Sequence, residues 1–256
     1  MGMRSYVKDY EVRYYEVDYK RRLLITNLMN YFSDIAMEHS DKCDIGLDFL
    51  MKKNLAWVLY EYDIELFKHA YYGEKVKITT TTHGFKKFFA FRLFKVEDEH
   101  GEIIAKAKSN FIMIDYKKRK PVRLAEEFYK GYDLTKDMEE ELDFDKLEKL
   151  NNISEEKSFT VRYSDIDSNT HVNNVKYVEW LIEPVPLEIV KNNFLKRIKI
   201  KYVKECLYGD TINSKIQIVK EQDGIKIIHK IVNHEDKELT IAETYWSKEP
   251  EENNEP

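Results

Sequence analysis

"VRYSDIDSNTHVNNVKYVEWL", residues 161–181, decides how this chain is read, because a version of it stands earlier in the same sequence. "VRYYEVDYKRRLLITNLMNYF", residues 12–32, aligns with it without a gap at an offset of 149 residues. Val-Arg-Tyr opens both blocks. Glu16 falls on Asp165, Val17 on Ile166, Asp18 on Asp167, Leu23 on Val172, Leu28 on Tyr177 and Tyr31 on Trp180. Two further echoes follow in the same order. "YYGEKVKITTTT" (71–82) resembles "LYGDTINSKIQI" (207–218), and "EDEHGEIIAKAKSNFIMI" (97–114) resembles "NHEDKELTIAETYWSK" (233–248). Three blocks repeated in order read as one duplicated unit.

Each copy carries the same pattern. A short strand (8–15, 157–163) leads into a polar turn and then an apolar helix (26–38, 172–191). In the first helix Leu28, Tyr31, Phe32 and Ile35 recur at three- and four-residue steps, as one buried face requires. The second is apolar nearly all round, so it must be buried, and Pro184 and Pro186 should interrupt it. Runs rich in β-branched and aromatic residues follow: 55–67, 75–85, 88–98 and 102–115, then 195–207, 211–221, 224–234 and 238–247. Helix followed by antiparallel strands, twice, predicts an α+β fold with each sheet curled around a helix. The expected divisions are 1–125, a charged and mostly helical connector at 126–156 packed on the outside, 157–248, and a disordered acidic tail at 249–256.

Composition narrows the function. The 256 residues are 43% hydrophobic, enough for a sizeable core, and the net charge of −5 gives no support for nucleic-acid binding. Cys43 and Cys206 are too few for a disulfide framework, and "MGMRSYVKDY" has no apolar leader. No run reaches the length of a membrane helix. The expectation is a cytoplasmic protein without a membrane span.

The polar window 165–174 could be a calcium loop, a capping turn or a catalytic centre. Asp165, Asp167 and Asn169 take the first, third and fifth positions of a calcium loop, but Thr170 stands where the turn needs Gly and Lys176 where a carboxylate is needed. Zinc is as poor a fit, since His171 has no neighbouring His and the cysteines are isolated. No metal or cofactor is expected. Asp and Asn side chains also cap helices and turns. The earlier copy keeps Asp18 but has Lys20 for Asn169 and Arg22 for His171, so Asn169 and His171 look added to one copy rather than demanded by the turn.

"DIDSNTHVNNVKYVEWLIEPVP" strongly resembles the signature of acyl-acyl-carrier-protein thioesterases, the plant plastid enzymes and their bacterial relatives. The matching positions are Asp167, Asn169, His171, Val172, Asn173, Asn174 and Tyr177. The family's Tyr-x-x-Glu-Cys segment on a following strand is matched by "YVKEC", with Tyr202, Glu205 and Cys206. The resemblance runs over about residues 5–247 and implies two tandem hotdog domains, each an antiparallel sheet wrapped around a central helix. Unlike the plant enzymes, the chain is expected to have no transit segment. It also implies the activity, release of free fatty acids from acyl carrier protein (ACP), with Asp167, Asn169, His171, Glu205 and Cys206 as catalytic residues.

These residue types suit thioester hydrolysis. An imidazole titrating near neutrality, at about 6.5, can take or give a proton, a role for His171. Asp167 and Asn169 can hold substrate or orient partners. Glu205, if buried, would have a raised proton affinity and act as base on water. Cys206 could instead attack directly, activated by His171. The first route is favoured by resemblance to carboxylate-assisted hotdog hydrolases. The helix beginning near 172 offers amides for an oxyanion. One active site per chain follows, since the first copy lacks Asn and His. Its inner face is expected to shape an acyl pocket, with Trp57, Phe89, Phe91 and Met29 as candidate liners. Basic clusters at 20–22, 117–120 and 196–201 are either solvated surface or docking points for the acidic carrier and its phosphopantetheine phosphate. An acyl-CoA hydrolase and a non-catalytic acyl-binding protein are the alternatives. Both monomer and homodimer are compatible with two units in one chain.

Overall fold

The computed structural model describes residues 2–136, 140–167 and 170–249. Asn169 and residues 250–256 of the expected tail lie outside them. The chain divides into two compact units, Met1–Phe144 and Asp145–Pro256.

Unit 1 contains β1 (Ser5–Glu11), α1 (Ile25–Lys42), α2 (Leu47–Lys53), β2 (Leu55–Leu66), β3 (Lys75–Lys86), β4 (Phe89–Glu97), β5 (Ile103–Asp115), the short β6 (Lys120–Pro121) and α3 (Glu126–Gly131). Its sheet runs β1-β3-β4-β5-β2, all antiparallel, with β6 beside the end of β5. Unit 2 contains β7 (Glu155–Thr160), α4 (Asn174–Ile182), α5 (Leu187–Asn192), β8 (Asn193–Tyr202), β9 (Thr211–Glu221), β10 (Gly224–Asn233) and β11 (Glu238–Lys248). Its sheet runs β7-β9-β10-β11-β8. The strand order is the same in both units, with β7 in the place of β1, β9 of β3, β10 of β4, β11 of β5 and β8 of β2. The duplication seen in the residues is therefore a duplication of topology.

The helices form where apolar spacing and breakers place them. On α1, Leu28, Met29, Tyr31, Phe32, Ile35 and His39 make one buried face, packed against β1 and β3. Phe32 stacks on Phe94 of β4 at 4.5 Å and leans on Tyr62 of β2. In unit 2, Asn173 caps α4 by accepting from Val175 N–H at 3.0 Å. Val175, Tyr177, Val178, Trp180 and Leu181 are buried on α4, which lies against β9 and β10. Pro184 and Pro186 interrupt the helix as expected, and Pro186 caps the separate α5.

The connector differs from expectation. Among its described residues only Glu126–Gly131 is helical, and residues 140–154 carry no regular structure. Sheet side chains take the place of a helix's own hydrogen bonds. Glu148 N–H donates to the buried Glu243 carboxylate at 2.6 Å, Asn151 and Asn152 N–H donate to Gln217 Oε1 at 2.9 and 3.1 Å, and Ser154 N–H donates to Ile216 C=O at 2.7 Å. Local helix propensity is a weak preference that such partners override. α2, which sequence patterning did not single out, joins α3 over one end of unit 1, where Leu50, Phe85, Met113 and Phe128 share a core.

Phe32→Ala removes a fully buried ring held between two aromatic neighbours. It is expected to lower unfolding free energy by about 3–5 kcal/mol, read from the midpoint of a urea titration at unchanged slope.

Candidate active site

A tight turn carries the polar window of unit 2. Residues Tyr163–Asp165 make one turn of 3₁₀ helix, and Asp165 is fully buried. Its carboxylate accepts from Arg162 N–H at 2.8 Å and from the Arg162 guanidinium at 2.9 and 3.2 Å. Burial alone pushes this carboxyl up. The Arg162 side chain and amide more than reverse that and hold it below the usual carboxylate value. The Asp165 carbonyl accepts from Asn173 N–H at 2.9 Å, which joins the turn to the start of α4. Between these points Asp167 N–H donates to His171 C=O at 2.8 Å, Thr170 N–H donates to Asp167 C=O at 3.0 Å, and Thr170 takes a positive φ of 65°.

This framework places His171 beside Glu205. His171 Nδ1 lies 3.1 Å from Glu205 Oε2, but off the line of a well-formed hydrogen bond. The imidazole is 22% exposed and the carboxylate 37%. The expectation that Glu205 lies on a strand is not met, and the burial that would raise its proton affinity is absent. β8 stops at Tyr202, where Val203 and Lys204 N–H both donate to Leu239 C=O, and the chain leaves the sheet. Glu205 and Cys206 therefore sit on a loop, and Glu205 is open to water.

Cys206 is in a different setting. It is 2% exposed, its Sγ is 3.1 Å from the Tyr177 hydroxyl, and its N–H donates to that hydroxyl at 3.0 Å. Burial pushes the thiol up to about 11, lowered only in part by Tyr177 and raised again by Asp210. Burial also raises the Tyr177 phenol. Such a thiol is protonated at neutral pH. Sequence reading missed Tyr177 as its partner, although the Asn-Asn-x-x-Tyr spacing puts that ring on the first turn of α4. Tyr202 OH donates to Asn174 C=O at 3.1 Å and braces the same turn.

The structure thus brings together His171 and Glu205, sets Cys206 behind Tyr177, and puts Asp167 in the backbone frame of the turn. Asn169 lies outside the described residues. Among the described residues no cluster of His, Cys, Asp and Glu is arranged to hold a metal ion, and no helix is long and apolar enough to cross a membrane.

Two of the expected pocket liners face elsewhere. Arg92 and Phe94 of β4 point toward α1, so Phe89 and Phe91, of opposite parity, lie on the other face of the sheet. Trp57 joins the core under α3, and Met29 is buried on α1. The face toward α1 holds a polar group that patterning did not find. Arg92 donates to His39 Nδ1 and to Thr80 Oγ1, both at 2.9 Å, and lies over the Tyr132 ring. Burial and the adjacent guanidinium push His39 down to about 4, so its neutral ring accepts at Nδ1 and donates from Nε2 to Met3 C=O. The 196–201 cluster is an alternating strand with Ile198 and Ile200 buried, and Arg197 and Lys199 pair with Asp145.

Comparison with known proteins places this geometry. The acyl-ACP thioesterase N-terminal domain profile matches residues 3–132, and the C-terminal domain profile matches residues 148–248. The chain is 25% identical over 94% of its length to the acyl-[acyl-carrier-protein] hydrolase FATB3, chloroplastic, of Cuphea viscosissima. It is 29% identical over 78% of its length to a palmitoyl-acyl carrier protein thioesterase, chloroplastic, of Gossypium hirsutum. It spans 62% and 51% of the lengths of these two relatives. In fold it is similar to the 12:0-ACP thioesterase from Umbellularia californica (TM-score 0.84, 22% identity, 95% of this chain and 94% of that one). It is also similar to an acyl-ACP thioesterase from Bacteroides thetaiotaomicron (TM-score 0.83, 24% identity, 95% and 98%). These relatives establish two hotdog domains in tandem.

Two outcomes follow from the site. Native protein at pH 7.5 should resist iodoacetamide at Cys206, with labelling seen by mass spectrometry only on denaturation or as pH climbs toward 11. Asp165→Ala should cost about 1–3 kcal/mol at pH 7 by orphaning the Arg162 amide. A carboxyl whose folded pKa is lowered stabilises above its unfolded value of about 3.9 and loses that contribution as pH falls through the folded value. The melting-temperature gap between wild type and Asp165→Ala should therefore hold steady from pH 7 to about pH 5 and narrow as pH falls below about 3.9.

Proposed function

The chain belongs to the acyl-ACP thioesterase family, and on that footing we propose that it hydrolyses acyl-ACP thioesters and releases free fatty acids. The observation that carries the reading is the contact of His171 with a solvent-accessible Glu205, beside a cysteine that is buried and held by Tyr177. This arrangement favours water over Cys206 as the nucleophile.

In the proposed reaction Glu205, as carboxylate, takes a proton from water while the water oxygen attacks the thioester carbonyl. The negative charge that forms on the carbonyl oxygen is met by Asn174 N–H at the start of α4, Val175 and Lys176 N–H being taken up by Asn173. The tetrahedral intermediate then collapses, the C–S bond breaks, and the departing sulfur takes the proton that Glu205 accepted from water, directly or relayed through His171. The products are a fatty acid and the carrier thiol. Asp167 and Asn169 act by holding the substrate or orienting the reacting groups. The two buried free thiols fit a reducing compartment, and we place the reaction in the cytoplasm.

His171→Ala and Glu205→Gln should each lower kcat on acyl-ACP by about 10²- to 10⁴-fold, the usual worth of a general acid or base. Cys206→Ser should stay within a few-fold of wild type. An acyl group trapped on Cys206 would overturn the water route. Absence of turnover on ACP thioesters of every chain length would overturn the activity, and faster turnover of acyl-CoA would move the substrate to the other carrier.

A further inference from the structure

The turn that carries His171 has a structural twin in unit 1. Glu16 accepts from Arg13 N–H at 2.7 Å as Asp165 does from Arg162 N–H. Asp18 N–H donates to Arg22 C=O at 2.9 Å, Arg21 N–H donates to Asp18 C=O at 2.9 Å, and Arg21 has a φ of 64°. Leu24 N–H donates to Glu16 C=O, matching Asn173 and Asp165, and the Val17–Leu23 bridge matches Ile166–Val172. The loop after β2 matches too. Phe67 and Lys68 N–H both donate to Ile104 C=O, as Val203 and Lys204 do to Leu239. His69 therefore occupies the place of Glu205, and Ala70 that of Cys206.

The same frame carries the opposite charge. At matched sequence positions unit 2 has Asp167, Asn169, His171 and Glu205, whereas unit 1 has Asp18, Lys20, Arg22 and His69, with Arg21 between. Asp18 is neutralised within the turn. Its carboxylate pairs with the buried Arg22 at 2.7 Å and accepts from Lys20 and Arg22 N–H at 2.8 and 2.9 Å. Arg22 is bridged to Tyr71, and Tyr72 N–H donates to Arg21 C=O. Lys20 and Arg21 remain exposed on a rim with the exposed Tyr14, Tyr19 and Tyr72, the first and last ring-to-edge at 5.9 Å. No carboxylate stands where Glu205 does, since His69 takes that place, and two exposed cations crown the copy.

We propose that the unit 1 copy is a non-hydrolytic binding site for a phosphate ester, held by Lys20 and Arg21 over the neutralised Asp18–Arg22 pair. Paired cations on a rigid turn are matched by a phosphate, whose charge attracts both at once. Naming phosphopantetheine as the bearer of that phosphate rests on the function proposed above. The anion site itself rests on the charge of the turn.

Calorimetric titration of the full chain with 4′-phosphopantetheine at low salt tests this without any turnover, so an inactive hydrolase would not disturb the result. Wild type, His171→Ala and the control Lys117→Glu/Lys118→Glu should bind alike, and Lys20→Glu/Arg21→Glu should bind at least about tenfold more weakly. Added salt should weaken wild-type binding. Unchanged affinity in Lys20→Glu/Arg21→Glu overturns the site, as does loss of binding in His171→Ala. Unphosphorylated pantetheine binding as tightly as the phosphate ester overturns it too. Inorganic phosphate binding as tightly as phosphopantetheine, with the same loss in Lys20→Glu/Arg21→Glu, supports the site and makes free phosphate its ligand.

Discussion

The buried Asp165 carboxylate is the interaction on which the geometry of unit 2 depends. It satisfies the Arg162 amide and guanidinium on one side, and its own carbonyl takes the Asn173 amide on the other. A strand end, the loop that follows it and a helix start are thereby tied at one point. A buried carboxylate is costly unless it is paired and hydrogen-bonded, and here the pairing is local, within three residues along the chain. The turn is consequently a rigid base for His171. The same device built on Glu16 supports the twin turn in unit 1. There it carries Arg22, which pairs with Asp18 instead of facing a carboxylate across the loop.

Duplication has thus been used twice over. The frame is kept because both copies need the strand-to-helix turn. What differs is the group aimed outward from it, and the interior behind it. In unit 1 Arg92, Ser109 and Tyr62 lie side by side on the face toward α1, paired across β4, β5 and β2. The matching row of unit 2 is Ile227, Thr244 and Ile198. A fold that is content with isoleucine at these places does not require a buried guanidinium. The polar row of unit 1 is a departure tolerated because His39, Thr80 and the Tyr132 ring surround Arg92.

Much of this was legible in the residues, for reasons that can be named. Helix α1 announces itself through apolar three- and four-residue steps, and the strands through β-branched and aromatic runs between turn signals. Both periods are local geometry. The connector was misread because its charged residues favour a helix locally, while Glu243 and Gln217 supply distant partners that hold it extended. Phe89 and Phe91 were misplaced because parity along a strand tells which residues share a face, not which face meets the helix. Glu205 was placed on a strand because "YVKEC" continues the strand pattern, but the shared bonds of Val203 and Lys204 to one carbonyl end the pairing first.

The sequence by itself determined the duplication, the α+β class, the family and the short set of residues able to do acid-base chemistry. These depend on spacing and on side-chain type, and both are written along the chain. Only the tertiary structure decided that Glu205 meets His171 in the open, and that Cys206 lies buried behind Tyr177 with its proton held. Exposure is a property of what packs around a residue, and adjacent positions on a loop can have opposite surroundings. Two neighbours in sequence, Glu205 and Cys206, were both candidates, with Glu205 favoured only by resemblance, until burial separated them.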